Sequence, residues 1–205
     1  MSDTSTAAAP GVPLSHLLYL HGFRSSPQSA KARRVAAWVQ EHRPDLVWQC
    51  PQLPPSPRDA IDRVLAATAG WPRGRMAVIG SSLGGFYATV VAERTGCRAV
   101  LLNPAVEPAR DLAVHIGEQK AWHGDDRFYF HAGFIDELNT LAPPSPLTWP
   151  ERYFAVIAKG DEVLSWQEMS DRYTGCRIRL VEASDHALSD FEDQWPAVAD
   201  FLGLR

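Results

Sequence analysis

The sequence predicts a three-layer α/β domain, in which helices cover both faces of a mostly parallel central sheet. Short apolar runs that fit buried strands alternate with longer stretches whose apolar residues recur at helical spacing. Several of these apolar runs end at a glycine or a His-Gly pair, as expected where a strand turns into a loop. Regular alternation of this kind is typical of strand–helix–strand units with parallel strands.

The strands and helices can be placed approximately from this alternation. The strands are predicted over residues 16–20, 46–50, 76–79, 97–102, 153–158 and 177–182. The helices are predicted over residues 29–42, from the Ser56-Pro57 pair onward, over 83–95, near 165–173, and up to about residue 202. Ser56 suits a helix cap, and Pro57 suits the first turn. Pro196 must either kink the last helix or lie in its first turn.

The alternation lapses over residues 104–150, which contain aromatic residues and a proline-rich exit. Apolar residues at helical spacing predict one helix near residues 134–141. An insertion of this length between sheet elements is typical of a lid or cap. We therefore expect a single domain over residues 14–205 with a lid or cap insertion at 104–150, preceded by a disordered tail over residues 1–13.

The composition favours a cytoplasmic enzyme that acts on a small molecule. The formal net charge is −4, whereas nucleic acids and anionic membranes select basic surfaces. No apolar stretch is long enough to span a membrane, and the first residues lack the features of a secretory signal. Cys50, Cys97 and Cys176 form no disulfide or zinc pattern, so we expect buried reduced thiols. The sequence indicates no oligomeric state.

The sharpest local signal is the segment Gly80-Ser81-Ser82-Leu83-Gly84, which matches G-x-S-x-G. Only when the motif is centred on Ser82 does glycine occupy the position two residues away on each side, which makes Ser82 the candidate nucleophile. The segment follows an apolar strand and begins an apolar helix, as this motif requires. A strand that reverses into a helix so abruptly strains the serine and leaves no room for side chains two positions away.

The loop after the first strand is the candidate oxyanion loop. Gly22 permits a tight turn there, so the Phe23 backbone N–H can point at a substrate oxygen. The Leu83 N–H, at the start of the helix that follows Ser82, would be the second donor. We expect the His21 side chain to brace this loop through hydrogen bonds rather than to act as the catalytic base.

The general base is expected after the last strand, because the chain order for this motif is serine, acid and then histidine. His186 follows that strand and is the candidate base. The remaining histidines precede the nucleophile or lie in the insertion, namely His16, His21, His42, His115, His123 and His131. A metal site at His123, Asp125 and Asp126 is an alternative for that segment, but the spacing matches no zinc pattern. We expect neither a metal nor a cofactor.

The acid is expected after the strand at residues 153–158. Asp161 follows a turn glycine there and is the candidate that would hold the imidazole and stabilise its charged form. Glu162 is the nearest rival, and Glu107 and Asp111 are more distant alternatives. Asp185 adjoins the base in sequence and is interpreted as a turn residue.

Five segments together resemble the small bacterial YqiA/YcfP-type α/β-hydrolases, which are described as esterases. The segments are YLHGFRSSPQSAKA, GSSLGGFYAT, LNPAV, GDEVL and SDHALSDFE, and they occur in the expected order over most of residues 14–204. The resemblance implies an α/β-hydrolase fold and activity on acyl esters or acyl thioesters. It also implies triad roles for Ser82, Asp161 and His186 and oxyanion amides at Phe23 and Leu83. The match is weakest before Pro13 and between about residues 120 and 150.

These observations predict a serine esterase that hydrolyses acyl esters through an acyl-enzyme intermediate. An acyl-CoA or other thioester hydrolase is one alternative, because Arg24, Lys31, Arg33 and Arg34 lie near the predicted oxyanion loop and could meet a coenzyme A phosphate. These residues also fit a solvated helix face. A non-catalytic, hydrolase-like binding module is the other alternative, because a fold does not by itself fix a function.

Overall fold

The computed structural model describes residues 13–121 and 127–205. Eight strands occur within these ranges: β1 (His16–Leu20), β2 (Val47–Gln49), β3 (Met76–Ser81), β4 (Arg98–Leu102), β5 (Gly117–Lys120), β6 (Arg127–Phe130), β7 (Tyr153–Ala158) and β8 (Arg177–Val181). Six of them form the central sheet in the order β2-β1-β3-β4-β7-β8. Every pairing in this sheet is parallel, so the carboxyl ends of all six strands meet at one edge.

Seven α-helices accompany the strands in the described ranges: α1 (Ala30–His42), α2 (Pro57–Ala67), α3 (Leu83–Thr95), α4 (Pro108–Leu112), α5 (Gly133–Leu141), α6 (Trp166–Arg172) and α7 (Phe191–Leu202). The buried side chains of α1 and α7 pack with one face of the sheet. Those of α2, α3 and α5 pack with the other face. The predicted three-layer α/β class is confirmed. None of these helices is long and apolar enough to cross a membrane.

The insertion holds the elements that the sequence pattern did not predict. The helix expected near residues 134–141 is present as α5, but α4 and the antiparallel pair β5–β6 were not foreseen. Pro196 is the sixth residue of α7, so it lies inside the helix and not in the first turn. Whether the 104–150 segment acts as a lid stays a prediction. The disordered tail was expected over residues 1–13, and all of these except Pro13 lie outside the described residues.

Helix α3 is the most buried helix of the fold, because its first ten residues are all buried. It begins very close to β1, where Gly84 faces the main chain of the strand. A methyl group at Gly84 would lie 2.0 Å from the Leu20 carbonyl oxygen. Only a residue without a side chain therefore allows the helix to approach the strand this closely.

We expect Gly84→Ala to lower the free energy of unfolding by about 2 kcal/mol or more, because α3 and β1 must separate to admit the methyl group. Urea denaturation followed by circular dichroism measures this loss. Gly70→Ala is the matched control, since a methyl group there would meet no atom within 4 Å. Equal stability of Gly84→Ala and the wild type would show that the close approach is not a constraint.

The three cysteines are free thiols, with Cys97 buried and Cys50 and Cys176 half-buried. Burial raises the pKa of the Cys50 thiol to about 12. It also raises the pKa of the Cys97 and Cys176 thiols to about 11. Raised pKa values keep these groups in the unreactive thiol form near neutral pH.

At pH 8 we expect iodoacetamide to modify the folded protein at least about tenfold more slowly than the urea-unfolded chain, because the thiolate fraction is reduced in the folded state. Mass spectrometry of timed samples gives the two rates. Rapid modification of any of the three cysteines in the folded protein would contradict the raised pKa of that thiol.

Candidate active site

Ser82 lies in a sharp turn between a strand and a helix. Strand β3 continues to Ser81, two residues beyond the predicted end, and α3 begins at Leu83. Ser82 has a φ of +56°, a backbone conformation that residues with side chains rarely adopt. Its N–H donates to the Leu102 carbonyl oxygen at 3.0 Å, and its own carbonyl accepts from the Gly85 N–H at 2.8 Å. These bonds hold the strained residue in place.

The two glycines of the motif are required for different reasons. A Cβ atom at Gly80 would lie 2.1 Å from the Gly84 carbonyl oxygen, directly across the turn. The sequence-based explanation is therefore right for Gly80. At Gly84 the obstacle is the main chain of β1, which the motif alone does not reveal.

Ser82, His186 and Asp161 form a continuous chain of hydrogen bonds. The His186 Nε2 atom lies 3.2 Å from the Ser82 hydroxyl oxygen. Its Nδ1 atom lies 2.8 Å from the Asp161 Oδ2 atom. The Asp161 side chain is fully buried, at 0% exposure, whereas the imidazole is 22% exposed. The arrangement can move a proton away from the serine hydroxyl and stabilise the resulting imidazolium.

The backbone around Asp161 fixes the direction of its carboxylate. The Oδ1 atom accepts from the Val163 N–H at 2.8 Å and from the Leu164 N–H at 2.7 Å. This leaves Oδ2 for the imidazole. Glu162 instead accepts from the backbone N–H of His186 at 3.0 Å. The neighbouring carboxylates thus hold different parts of the same histidine.

The other carboxylates considered from the sequence have different surroundings. Asp111 pairs with Arg110 at 2.8 Å, and Glu107 immediately precedes α4. Asp185 accepts from the backbone N–H and the hydroxyl of Ser189, as expected of a turn residue. The structure brings Asp161, and none of these three, to the His186 ring.

Asn103 is a buried residue of the site that the sequence reasoning missed. Its side-chain amide donates to the carbonyl oxygens of Asp185 and His186, at 2.9 and 3.1 Å. Its side-chain oxygen accepts from the Ala158 N–H at 2.8 Å. Asn103 therefore ties the end of β4 to the end of β7 and to the loop that carries the histidine. An asparagine directly after an apolar strand was the available signal, since asparagine tolerates its φ of +43°.

The loop after β1 packs directly against Ser82. A Cβ atom at Gly22 would lie 3.2 Å from the Ser82 Cβ atom. His21 is buried; its Nδ1 atom lies 3.0 Å from the Gly22 carbonyl oxygen, and its Nε2 atom accepts from the Leu53 N–H at 3.1 Å. The His21 side chain therefore supports the loop after β1 through its hydrogen bonds. Phe23 and Leu83 both line the same cavity as Ser82.

Three cavities meet around this loop. The largest, about 650 Å³, is bordered by Ser82 and His186 and has mainly apolar walls that include Leu112 and Leu164. A second, about 410 Å³, extends from Phe23 toward β6. A third, about 210 Å³, is again bordered by Ser82 and His186. Ser82 thus borders two distinct spaces.

The 104–150 insertion packs on Phe23, which borders all three cavities. The Phe23 ring packs edge-to-face on Phe128 and Phe130, with ring centroids 5.9 and 5.2 Å apart. It also lies 5.5 Å from the His115 ring. The candidate oxyanion loop and the insertion are therefore packed together.

The four basic residues considered for a coenzyme A phosphate lie in different places. Arg24 borders the two larger cavities and donates to the Lys120 carbonyl oxygen at 2.6 Å. Lys31 borders the smallest cavity. Arg33 is exposed on α1, and Arg34 forms an ion pair with Glu192. Arg33 and Arg34 do not line any of the three cavities.

Within residues 13–121 and 127–205, no group of three or more His, Cys, Asp or Glu side chains is placed to hold a metal ion. The alternative metal site at His123, Asp125 and Asp126 lies outside the described residues.

The fold resembles solved structures that share little sequence with this chain. Est1E from Butyrivibrio proteoclasticus is 16% identical, with a TM-score of 0.68 over 93% of this chain and 87% of that chain. Alpha/beta hydrolase domain-containing protein 10 from mouse is 16% identical, with a TM-score of 0.66 over 91% and 90% of the respective chains. A structure from a study of the metagenome-derived lipolytic enzymes LipS and LipT is 17% identical, with a TM-score of 0.69 over 94% and 95%.

These similarities establish the α/β-hydrolase fold, since identities this low carry information about the fold alone. The sequence itself carries the family assignment. The model of the uncharacterised protein family UPF0227 matches residues 16–203. The chain therefore belongs to UPF0227, the YqiA/YcfP-type family of α/β-hydrolases.

Proposed function

We propose that this protein is a serine esterase that hydrolyses acyl esters through a covalent acyl-enzyme. One observation carries the proposal: an unbroken chain of hydrogen bonds runs from the buried Asp161 through His186 to the Ser82 hydroxyl. This chain ends at the wall of a largely apolar cavity of about 650 Å³. The esterases and lipolytic enzymes among the similar structures support the same reaction class.

In the first step, the Ser82 oxygen attacks the ester carbonyl carbon while His186 Nε2 takes the hydroxyl proton. The Phe23 and Leu83 N–H groups are proposed to stabilise the negative oxygen that forms. Asp161 holds the imidazole and stabilises its positive charge. His186 then gives the proton to the leaving oxygen, the ester C–O bond breaks, and the acyl group remains on Ser82.

In the second step, His186 removes a proton from a water molecule that attacks the acyl-enzyme carbonyl. The same donors stabilise the second oxyanion, and its collapse breaks the bond to Ser82. His186 returns the proton to the serine oxygen, and the carboxylic acid leaves. Every proton in this cycle passes through one imidazole, so the reaction needs no further acid or base.

The apolar walls of the largest cavity make it the proposed acyl site. Leu112 and Leu164 line it together with Ala105 and Pro108. Three of these four residues lie within the 104–150 insertion, which we propose covers the acyl chain and excludes water.

Thioester hydrolysis is a second candidate function, favoured by the charge of the cavity of about 410 Å³. Arg24, Arg63 and Arg127 line this cavity beside Phe23 and Leu83. Three guanidinium groups near the oxyanion loop would suit the phosphates of a coenzyme A leaving group. The ligand in either case is a small acyl compound.

We expect Ser82→Ala to lower kcat/KM by about four orders of magnitude or more on p-nitrophenyl esters of increasing chain length, because the nucleophile is removed. Acyl-CoA substrates in the same series separate the two candidate functions. Ser170→Ala, on α6 away from the site, is the control for a serine-to-alanine change. Equal, slow rates for folded wild type and Ser82→Ala would favour a non-catalytic binding module.

Two adjacent carboxylates provide a test of the acid. We expect Asp161→Asn to lower kcat by about 10³-fold or more, because the amide no longer stabilises the imidazolium. We expect Glu162→Gln to lower kcat by less than about tenfold, because Glu162 contacts only the backbone of His186. Steady-state kinetics on one aryl ester measures both. The reverse order of losses would assign the acid to Glu162.

A further inference from the structure

The smallest cavity beside Ser82 differs in character from the proposed acyl site. It has a volume of about 210 Å³, and Tyr19, Ser29 and Lys31 line it together with Ser82 and His186. These three side chains bring two hydroxyl groups and an ammonium group to the nucleophile. The mechanism proposed above uses none of them.

Lys31 is held in place by its surroundings. It is half-buried near the start of α1, and its Nζ atom donates to the Ala187 carbonyl oxygen. Burial lowers the pKa of Lys31 to about 8, although the charges of Asp185 and Asp161 oppose this shift. The side chain is therefore still mostly protonated at pH 7. An ammonium group has three N–H donors, so it can bind an anion while it keeps this hydrogen bond.

The two hydroxyl groups are buried polar atoms. The Tyr19 side chain is fully buried, at 0% exposure. Interaction with the neighbouring Ser29 and Ser81 hydroxyls partly offsets the rise that burial causes in the Tyr19 pKa, yet neither the Tyr19 nor the Ser29 hydroxyl makes a hydrogen bond of good geometry within the described residues. Ser29 precedes α1, but its side chain caps no amide of the helix. Buried hydroxyls without partners are costly, so a ligand that accepts hydrogen bonds would be favoured here.

We propose that this cavity binds a carboxylate on the leaving-group side of the substrate, next to the scissile ester. This inference rests on the proposed esterase function. One ammonium group and two hydroxyl groups match the two oxygens and single charge of a carboxylate. A phosphate dianion is disfavoured, because the negative charges of Asp161 and Asp185 act at the same lysine.

The assignment to the leaving group follows from comparison of the two cavities. Both border Ser82 and His186, but the smaller is lined mostly by residues with polar or charged side chains, whereas the walls of the larger include Leu112 and Leu164. An apolar acyl chain is stabilised by those walls. The polar cavity is then left for the alcohol part of the ester, which is the part that His186 must protonate.

Two isosteric butyrate esters test the proposal. One is the butyrate ester of glycolate, and the other is the butyrate ester of glycolamide, which replaces the carboxylate by a neutral amide. We expect the wild type to hydrolyse the glycolate ester with a kcat/KM at least about tenfold higher. We expect Lys31→Met to abolish this preference and Tyr19→Phe to reduce it about threefold.

Arg33→Met is the matched control, because Arg33 is an exposed cation on the same helix that lines none of the three cavities. It should retain the preference. If the wild type shows no preference, the proposal is wrong. It is also wrong if Lys31→Met lowers both rates equally, because that result would mean that Lys31 only supports the loop that carries His186.

Binding of glycolate separates this inference from the proposed function. Calorimetric titration of Ser82→Ala with glycolate and with glycolamide measures the carboxylate site without any turnover. Tighter binding of glycolate that Lys31→Met removes supports the site even if neither ester is hydrolysed, in which case only the esterase proposal fails. Equal binding of the two compounds overturns the site whatever the esterase activity.

Discussion

The site depends on the abrupt turn from β3 into α3 at Ser82. The positive φ of Ser82 costs about 1–3 kcal/mol, and the turn persists because surrounding contacts hold it. The Ser82 N–H bonds to the end of β4, while Gly80 and Gly84 let α3 approach both its own strand and β1. As a result, the hydroxyl projects at the carboxyl edge of the sheet, where the loop after β8 can reach it.

The parallel sheet collects the other parts of the site at the same edge. The candidate oxyanion loop follows β1, Asp161 follows β7, and His186 follows β8. The end of β4 lies beside β7. There, the side-chain oxygen of Asn103 bonds to β7 and its side-chain nitrogen bonds to the loop that carries His186. Asn103 thus helps to fix the positions of Asp161 and His186 relative to each other, although it bonds only to backbone groups and to neither of these two side chains.

Local signals allowed much of this arrangement to be predicted from the sequence. Glycine spacing identified Ser82, and strand order pointed to Asp161 and His186, which the structure places in hydrogen-bonding contact. The pair β5–β6 was missed because the polar segment Gly117–Lys120 has no alternating apolar pattern. Asn103 was missed because its partners lie more than 50 residues away along the chain. From the sequence, Lys31 could be considered only as a basic residue near the oxyanion loop. Its burial against the loop that carries His186 depends on contacts between distant parts of the chain.

Labelling with a fluorophosphonate tests the central claim most directly, because this reagent reacts with a serine whose hydroxyl a neighbouring base activates. Peptide mapping by mass spectrometry would locate the adduct in the folded protein. We expect a single adduct on Ser82, which does not form when the protein is unfolded before the reagent is added and forms much more slowly in His186→Ala. A folded wild type that forms no adduct, or forms one at another serine, would contradict the assignment of Ser82 as an activated nucleophile.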